Sequence, residues 1–164
     1  MSWGDPETDV IRVGVGEYAI AEHPTLLMTP ALGSCVGVAV WNAVTQQGGL
    51  AHIMLPTPSE GSVHGKRERF ATIGIPQMIA ELSNGAVTHR LVAKLMGGAA
   101  MFKSDGGLAS IGERNLQEVR RQLGLLRIPI LAEDTGGNHA RTVELHLDTG
   151  VVVVRSYMYG IKEL

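Results

Sequence analysis

Cysteine is almost missing from this chain of 164 residues, which contains only Cys35. A single cysteine excludes an internal disulfide and favours a reducing compartment. Long apolar runs are also missing, since none approaches the roughly 20 residues that a membrane-spanning helix requires. The formal net charge is only −2, which argues against a general surface for nucleic acid or anionic membranes. We therefore expect a protein with no nucleic-acid partner and no membrane insertion.

The first residues carry neither the basic nor the apolar region of a signal peptide, which favours a cytoplasmic location. Hydrophobic residues make up 45% of the chain, enough to form the core of one domain. No linker, internal repeat or low-complexity segment divides the sequence. It therefore predicts a flexible N-terminal arm over residues 1–9 and a single domain over residues 10–164.

Short apolar segments, alternating or continuous, predict strands. The predicted strands cover residues 10–20, 25–30, 36–41, 49–55, 90–96, 128–133, 143–147 and 151–155. The segment 128–133 has the composition of a buried strand. Residues 42–48 are expected to connect the third and fourth strands as a hairpin, and the Asp-Thr-Gly turn at 148–150 to connect the last two.

Two helices are predicted among these strands. The first covers residues 76–82, because Pro76 suits a first helical position and Asn84-Gly85 would end the helix. The second begins at Ser110, which together with Glu113 forms a capping box. Gly124 is predicted as its C-terminal cap. The apolar stripe of this second helix is Leu116, Val119 and Leu123. Helices interspersed with many strands favour a layered α/β or α+β domain.

The residues that could carry chemistry are Cys35, between Gly33 and Gly37, and His52 on the following apolar segment. A cysteine attacks a carbonyl as the thiolate, and a neighbouring imidazole can take the thiol proton. The flanking glycines permit tight turns, and the backbone N–H groups near Ser34 and Cys35 could stabilise an oxyanion.

Spacing alone leaves the pairing of these two residues open. A hairpin turn centred near Val44 would put His52 opposite Val36, next to Cys35, whereas a turn two residues later would move His52 away. A small buried cysteine and a hydrogen-bonded core histidine are common in folded proteins, and this alternative stays open on spacing alone.

Five segments in fixed order resemble the CheD family, the chemoreceptor glutamine deamidases of bacterial and archaeal chemotaxis. They are LGSC at 32–35, HIMLP at 52–56, LVAKLMGGAAMF at 91–102, IGERN at 111–115 and AEDTGG at 132–137. The resemblance extends over residues 10 to 155. Five ordered segments are far more specific than any one of them.

The resemblance implies a protein-glutamine deamidase, which converts selected glutamines of methyl-accepting chemotaxis receptors to glutamate and releases ammonia through a cysteine thioester. The family's nucleophile corresponds to Cys35, its catalytic histidine to His52 and its third catalytic residue to Thr29, which would orient the imidazole. The implied fold is a single-domain α/β sandwich of mixed sheet, similar to toxin-type cysteine deamidases. No metal or organic cofactor is implied, and the phosphatase CheC is a further partner of many relatives.

Two other functions remain open. The same fold could act as a non-catalytic adaptor that binds receptor or CheC, although binding alone does not require a thiol and an imidazole. A different acyl-transfer enzyme, such as a cysteine peptidase or a transglutaminase, would use the same nucleophile. Peptide-bond cleavage or amine incorporation would distinguish these enzymes from a deamidase.

Overall fold

The residues that the structure describes fold into two five-stranded sheets and two α-helices. The computed structural model describes residues 8–60, 64–84, 90–101 and 109–164. The strands are β1 (Val10–Arg12), β2 (Tyr18–Glu22), β3 (Leu26–Leu32), β4 (Val36–Asn42), β5 (Gln47–Ile53), β6 (Leu91–Gly97), β7 (Ile130–Thr135), β8 (Arg141–Leu145), β9 (Val152–Ser156) and β10 (Gly160–Glu163). The helices are α1 (Ala71–Ser83) and α2 (Ile111–Leu125), and short 3-10 turns lie at Pro58–Glu60 and Arg67–Arg69.

Both sheets mix parallel and antiparallel pairs. The first sheet has the order β1-β3-β8-β9-β10 and the second the order β2-β5-β4-β6-β7. The pairs β1–β3 and β6–β7 are parallel, and the other pairs are antiparallel. The predicted α/β class, with mixed sheet and two main helices, is confirmed. No helix within the described ranges is long and apolar enough to cross a bilayer.

Two hydrophobic clusters cover opposite faces of the second sheet. One cluster joins alternate residues of β4, such as Val38 and Val40, to α1 and α2. The other joins residues such as Ala39 of β4 and Leu50 of β5 to the first sheet. The second sheet is therefore the middle of three layers, with helices on one side and the first sheet on the other. Burial on both faces explains why β4 is nearly continuous in apolar residues.

The prediction of one strand over residues 10–20 is wrong. The structure breaks this segment into β1 and β2, with a turn between them in which Gly16 has φ +78°. A single strand here would put Ile11, Val13 and Val15 on one face, but Val13 is buried while Val15 is 53% exposed. Apolar alternation alone did not reveal the turn, since valine carries the same signal on both sides of it.

Helix α1 begins at Ala71, so Pro76 lies inside the helix and not at its first position. The buried residues of α1 have helical spacing on both sides of the proline. They are Ala71, Gly74, Ile75, Met78 and Ile79. Packing of this stripe on the sheet outweighs the hydrogen bond that proline removes. The helix ends at Asn84 as predicted, in a left-handed conformation with φ 49°.

Helix α2 begins as predicted, with the Ser110 hydroxyl accepting a 3.2 Å hydrogen bond from the Glu113 N–H. Its predicted end is wrong, because Gly124 lies inside the helix and Arg127 adopts the left-handed conformation beyond it. Nothing lies within 4 Å of a Cβ added at Gly124, so neither packing nor a positive φ requires glycine there.

The remaining strands agree with prediction to within about two residues, with two corrections. Strand β7 is an edge strand with 59% of Leu131 exposed, and not the buried strand that its composition indicated. Strand β10 was not predicted, because exposed residues fill its short length. Residues 1–7 of the predicted arm and Gly85 lie outside the described residues.

Candidate active site

The hairpin of β4 and β5 brings His52 to the face of the sheet that carries Cys35. His52 pairs with Gly37, and Ile53 pairs with Val36. Directly paired residues share a face, as do alternate residues along one strand. Cys35 immediately precedes β4 and packs on the cluster between the two sheets. His52 and Cys35 therefore both lie on the side that faces the first sheet.

The register that the sequence analysis considered favourable is wrong by one residue. A turn centred at Val44 would have put His52 opposite Val36, whose side chain packs toward the helices. The observed turn instead pairs Asn42 with Gln47, and the Asn42 carboxamide oxygen accepts the N–H of Val44 at 2.9 Å. Because a slip of one residue reverses the faces, the observed register is the one that puts His52 on the Cys35 side.

Thr29 meets His52 from the first sheet. The Thr29 hydroxyl lies 2.7 Å from His52 Nδ1 and 2.7 Å from the backbone carbonyl oxygen of Val13. Thr29 and His52 are both fully buried. The three groups form a hydrogen-bonded chain that connects the two sheets at this point.

The direction of this chain fixes the tautomer of His52. A hydroxyl has one proton to donate, and the Val13 carbonyl can only accept. The Thr29 hydroxyl therefore donates to Val13 and accepts from His52, which puts the imidazole proton on Nδ1. The other ring nitrogen, Nε2, is then an unprotonated base, and it has no hydrogen-bond partner among the residues described.

The segment from Val13 to Glu17 also holds the backbone of His52. The N–H of Gly16 donates to the carbonyl oxygen of His52 at 3.0 Å, and the N–H of His52 donates to the carbonyl oxygen of Glu17 at 2.9 Å. This turn was missed because it was predicted as strand. The two glycines at 14 and 16, with Glu17 after them, were the available turn signal.

The loop that carries Cys35 is fixed through its carbonyl groups. The carbonyl of Gly33 accepts the N–H of Ala99 at 2.8 Å, and that of Cys35 accepts the N–H of Gly98 at 2.8 Å. The carbonyl of Ser34 accepts the Asn115 side-chain amide at 3.0 Å. Across the described chain, no hydrogen bond has the N–H of Ser34 or Cys35 as its donor. Among the described residues, the loop therefore has two backbone N–H groups without a partner next to the thiol, those of Ser34 and Cys35.

Asn115 is a residue of this site that the sequence analysis missed. It lies on α2, is fully buried, and donates both to Ser34 and to the backbone carbonyl of Met54 at 2.9 Å. The position of Asn115 relative to the apolar residues of α2 was the signal available in the sequence. Asn115 is one residue before Leu116 and lies on the buried side of the helix, and a polar residue on such a face requires hydrogen-bond partners.

Burial favours the uncharged forms of the His52 imidazole and the Cys35 thiol. Desolvation lowers the pKa of His52 from 6.5 to about 4, and desolvation raises the pKa of the Cys35 thiol. At neutral pH the imidazole is therefore an uncharged base and the thiol is protonated. Within the described residues no hydrogen bond joins Nε2 to the Cys35 sulfur.

This arrangement provides three elements of acyl-transfer chemistry. A partly exposed thiol can reach a ligand, an oriented neutral imidazole can accept a proton, and free backbone N–H groups can stabilise negative charge on oxygen. No cluster of three or more histidine, cysteine or acidic side chains suited to a metal ion occurs among the described residues.

A family profile described as CheD chemotactic sensory transduction matches residues 54–156. The chain belongs to the CheD family. This confirms the family that the five sequence segments indicated. The profile includes Asn115 but begins after Thr29, Cys35 and His52, so the catalytic roles of these three residues stay predictions.

Two relatives are similar over most of their length. The "Probable chemoreceptor glutamine deamidase CheD" of Moorella thermoacetica is 44% identical over 150 residues, 89% of this chain and 90% of the relative. The "Chemoreceptor glutamine deamidase CheD" of Thermotoga maritima is 42% identical over 157 residues, 93% of this chain and 98% of the relative. A solved structure of a Neisseria meningitidis protein of family DUF152 has a TM-score of 0.47 and 12% identity, covering 80% of this chain and 63% of that one.

Proposed function

We propose that this CheD-family protein hydrolyses the side-chain amide of selected glutamines on methyl-accepting chemotaxis receptors, with Cys35 as nucleophile. The observation that carries the proposal is the chain from the Val13 carbonyl through Thr29 to His52. It leaves a bare Nε2 on the face of the sheet that Cys35 shares. The names of the relatives supply the substrate class.

The first half of the reaction forms a thioester. His52 Nε2 accepts the Cys35 proton as the sulfur attacks the carbonyl carbon of the glutamine side chain. The proposal requires that a hydrogen bond between these two groups form when substrate binds, since catalytic hydrogen bonds are often completed only in the substrate complex. The backbone N–H groups of Ser34 and Cys35 donate to the oxyanion. The C–N bond then breaks, and the proton on Nε2 leaves with the nitrogen as ammonia.

The second half regenerates the enzyme. His52 accepts a proton from water, and the resulting hydroxide attacks the thioester carbonyl carbon. Collapse of the second tetrahedral intermediate breaks the C–S bond, returns the proton to sulfur and releases a glutamate side chain. Thr29 holds the imidazole in one tautomer throughout, so that Nε2 faces the reacting atoms in both halves. Every step uses groups of this chain and water.

The partner and location follow from this substrate. The proposed location is the cytoplasm, where the cytoplasmic region of a chemoreceptor would be available to this protein. CheC is proposed as a second partner, on the resemblance alone, where it would compete with receptor for the surface around Cys35. The receptor is the substrate that the experiment below addresses.

The test is mass spectrometry of a chemoreceptor cytoplasmic fragment incubated with the native protein or with Cys35→Ala. The expected result is conversion of glutamine to glutamate at discrete sites with the native protein and none above background with the variant. Both proteins should unfold at similar temperatures. Tight receptor or CheC binding without conversion by the native protein would favour the adaptor function, and backbone cleavage would favour a peptidase.

A further inference from the structure

The orientation of the Asn115 amide follows from its surroundings. Both groups within hydrogen-bond distance, the carbonyl oxygens of Ser34 and Met54, are acceptors. The nitrogen of the carboxamide must therefore face them, since an oxygen there would meet two oxygens. The carboxamide oxygen is buried and has no hydrogen-bond partner within the described ranges. Asn115 thus contributes through its two donated hydrogen bonds alone.

The hydrogen bond from Asn115 to the Ser34 carbonyl also determines the direction of one backbone N–H, that of Cys35. The carbonyl of one residue and the N–H of the next belong to one planar unit and point in opposite directions in a trans peptide. Fixing the carbonyl of Ser34 with Asn115 therefore also fixes the N–H of Cys35, which points the opposite way within the same plane. That N–H is one of the two next to the thiol that have no partner among the described residues.

Helix α2 packs closely against Gly98 and Ala99, the residues that bind the other carbonyls of the Cys35 loop. A Cβ added at Gly112 would lie 2.4 Å from the carbonyl oxygen of Ala99 and 2.6 Å from that of Gly98. Gly98 and Ala99 donate to the carbonyls of Cys35 and Gly33. The absence of a side chain at Gly112 lets the helix approach this backbone, and the close approach brings Asn115 to Ser34.

We propose that Asn115 is a positioning residue for deamidation, which aims the Cys35 N–H at the oxyanion by holding the Ser34 carbonyl. This inference rests on the proposed function. The hydrogen bonds of Asn115 among the described residues go to Ser34 and Met54 and not to the thiol or the imidazole, so it acts through the peptide plane between Ser34 and Cys35. Its loss should impair the step that develops charge on oxygen and leave the thiol itself reactive.

The experiment compares Asn115→Leu and Asn115→Asp with the native protein. Both variants are close in size to asparagine and lack its N–H donors. Ammonia release from a receptor fragment is measured over a range of substrate concentrations. We expect kcat to fall about 10- to 100-fold, below the full loss of an oxyanion donor, with KM changed less than about threefold because ground-state binding is kept.

Alkylation of Cys35 by iodoacetamide is the second readout. This reaction displaces iodide at an sp³ carbon and forms no oxyanion, so its rate should stay within about threefold of native in Asn115→Leu, which adds no charge beside the thiol. The matched control is Gln122→Leu, a polar-to-apolar change at a buried position of the same helix. Gln122 donates to Glu118 and not to the Cys35 loop, so kcat of this variant should equal the native value.

Several outcomes would overturn the inference. A native kcat in a folded Asn115→Leu protein would do so, as would an alkylation rate that falls in parallel with kcat. Failure of both variants to fold would assign Asn115 a structural role instead. These outcomes are distinct from failure of the proposed function, in which the native protein itself releases no ammonia.

Discussion

The His52 half and the Cys35 half of the candidate site are fixed by different groups. His52 is fully buried, its ring is hydrogen-bonded through Nδ1 to Thr29, and its backbone N–H and carbonyl are both paired. Cys35 is partly exposed, and its loop is paired through carbonyl oxygens, while its own N–H has no partner among the described residues. The ring of His52 is held by a hydrogen bond, whereas the Cys35 loop is held through its backbone.

This difference suits the two proposed roles, in which His52 is the general base and Cys35 is the nucleophile. A general base acts best when its tautomer and direction are set before substrate arrives. A nucleophile must reach a substrate from solvent, and the N–H groups beside it must remain available to the oxyanion. Burial makes His52 costly to charge, and in the proposed reaction Cys35 depends on His52 to accept its proton.

Replacing His52, the proposed general base, should lower kcat more than any other change considered below. His52→Gln should lower kcat about 10³-fold, the usual contribution of a positioned general base. It should also slow alkylation of Cys35 by iodoacetamide, which Asn115→Leu should not do. Steady-state ammonia release and alkylation rates measure the two effects.

The matched control for this variant is His23→Gln, at an exposed position before a proline. Its kcat should equal that of the native protein. Equal activity in His52→Gln would remove the distinction between the two halves and leave Cys35 without a base.

Acid should destabilise the His52 half next. The pKa of His52 is about 4 in the folded protein against 6.5 for the ordinary group, so the unfolded chain binds the proton more tightly. Stability from this group is present above pH 6.5 and is lost as pH falls from 6.5 toward 4. The full loss corresponds to about 3 kcal/mol. Urea unfolding between pH 7 and 4 measures it.

The His52→Gln variant sharpens this test, because it has no imidazole to protonate. Its free energy of unfolding should change less between pH 6.5 and pH 4 than that of the native protein. If the two pH curves are parallel, acid sensitivity arises from other groups and the buried neutral imidazole is not its source.

The smallest of these effects concerns Thr29. Thr29→Val removes the hydroxyl at nearly constant volume and frees the ring of His52 to change tautomer, so kcat should fall about tenfold to thirtyfold. Thr29→Ser keeps the hydroxyl and should retain most of the activity. A Thr29→Val protein as active as Thr29→Ser would mean that the ring is oriented by packing alone.

Local signals in the sequence predicted part of this site. The start of α2 followed from Ser110 and Glu113, and the β4–β5 hairpin followed from two apolar segments separated by a polar turn. The pairing of His52 with Gly37 could not follow, because one residue in a turn decides the face and several turns suit the same sequence. Only the structure shows which residues of β4 and β5 are paired.

Other features depend on contacts between distant segments. The proline inside α1 is tolerated because packing outweighs local preference. Asn115 was detectable as a polar residue on a buried face, but its partners lie 61 and 81 residues away in sequence. Periodicity indicates that such a residue is buried and does not indicate what it binds.

Nitrogen NMR of the His52 imidazole is the direct test of its proposed role as general base. We expect a neutral ring at pH 7 with its proton on Nδ1, an unprotonated Nε2, and titration near pH 4. The Thr29→Val protein should lose this single tautomer. A ring protonated on Nε2 at pH 7, or one carrying both protons, would rule out this role, because His52 could not then accept the proton of Cys35.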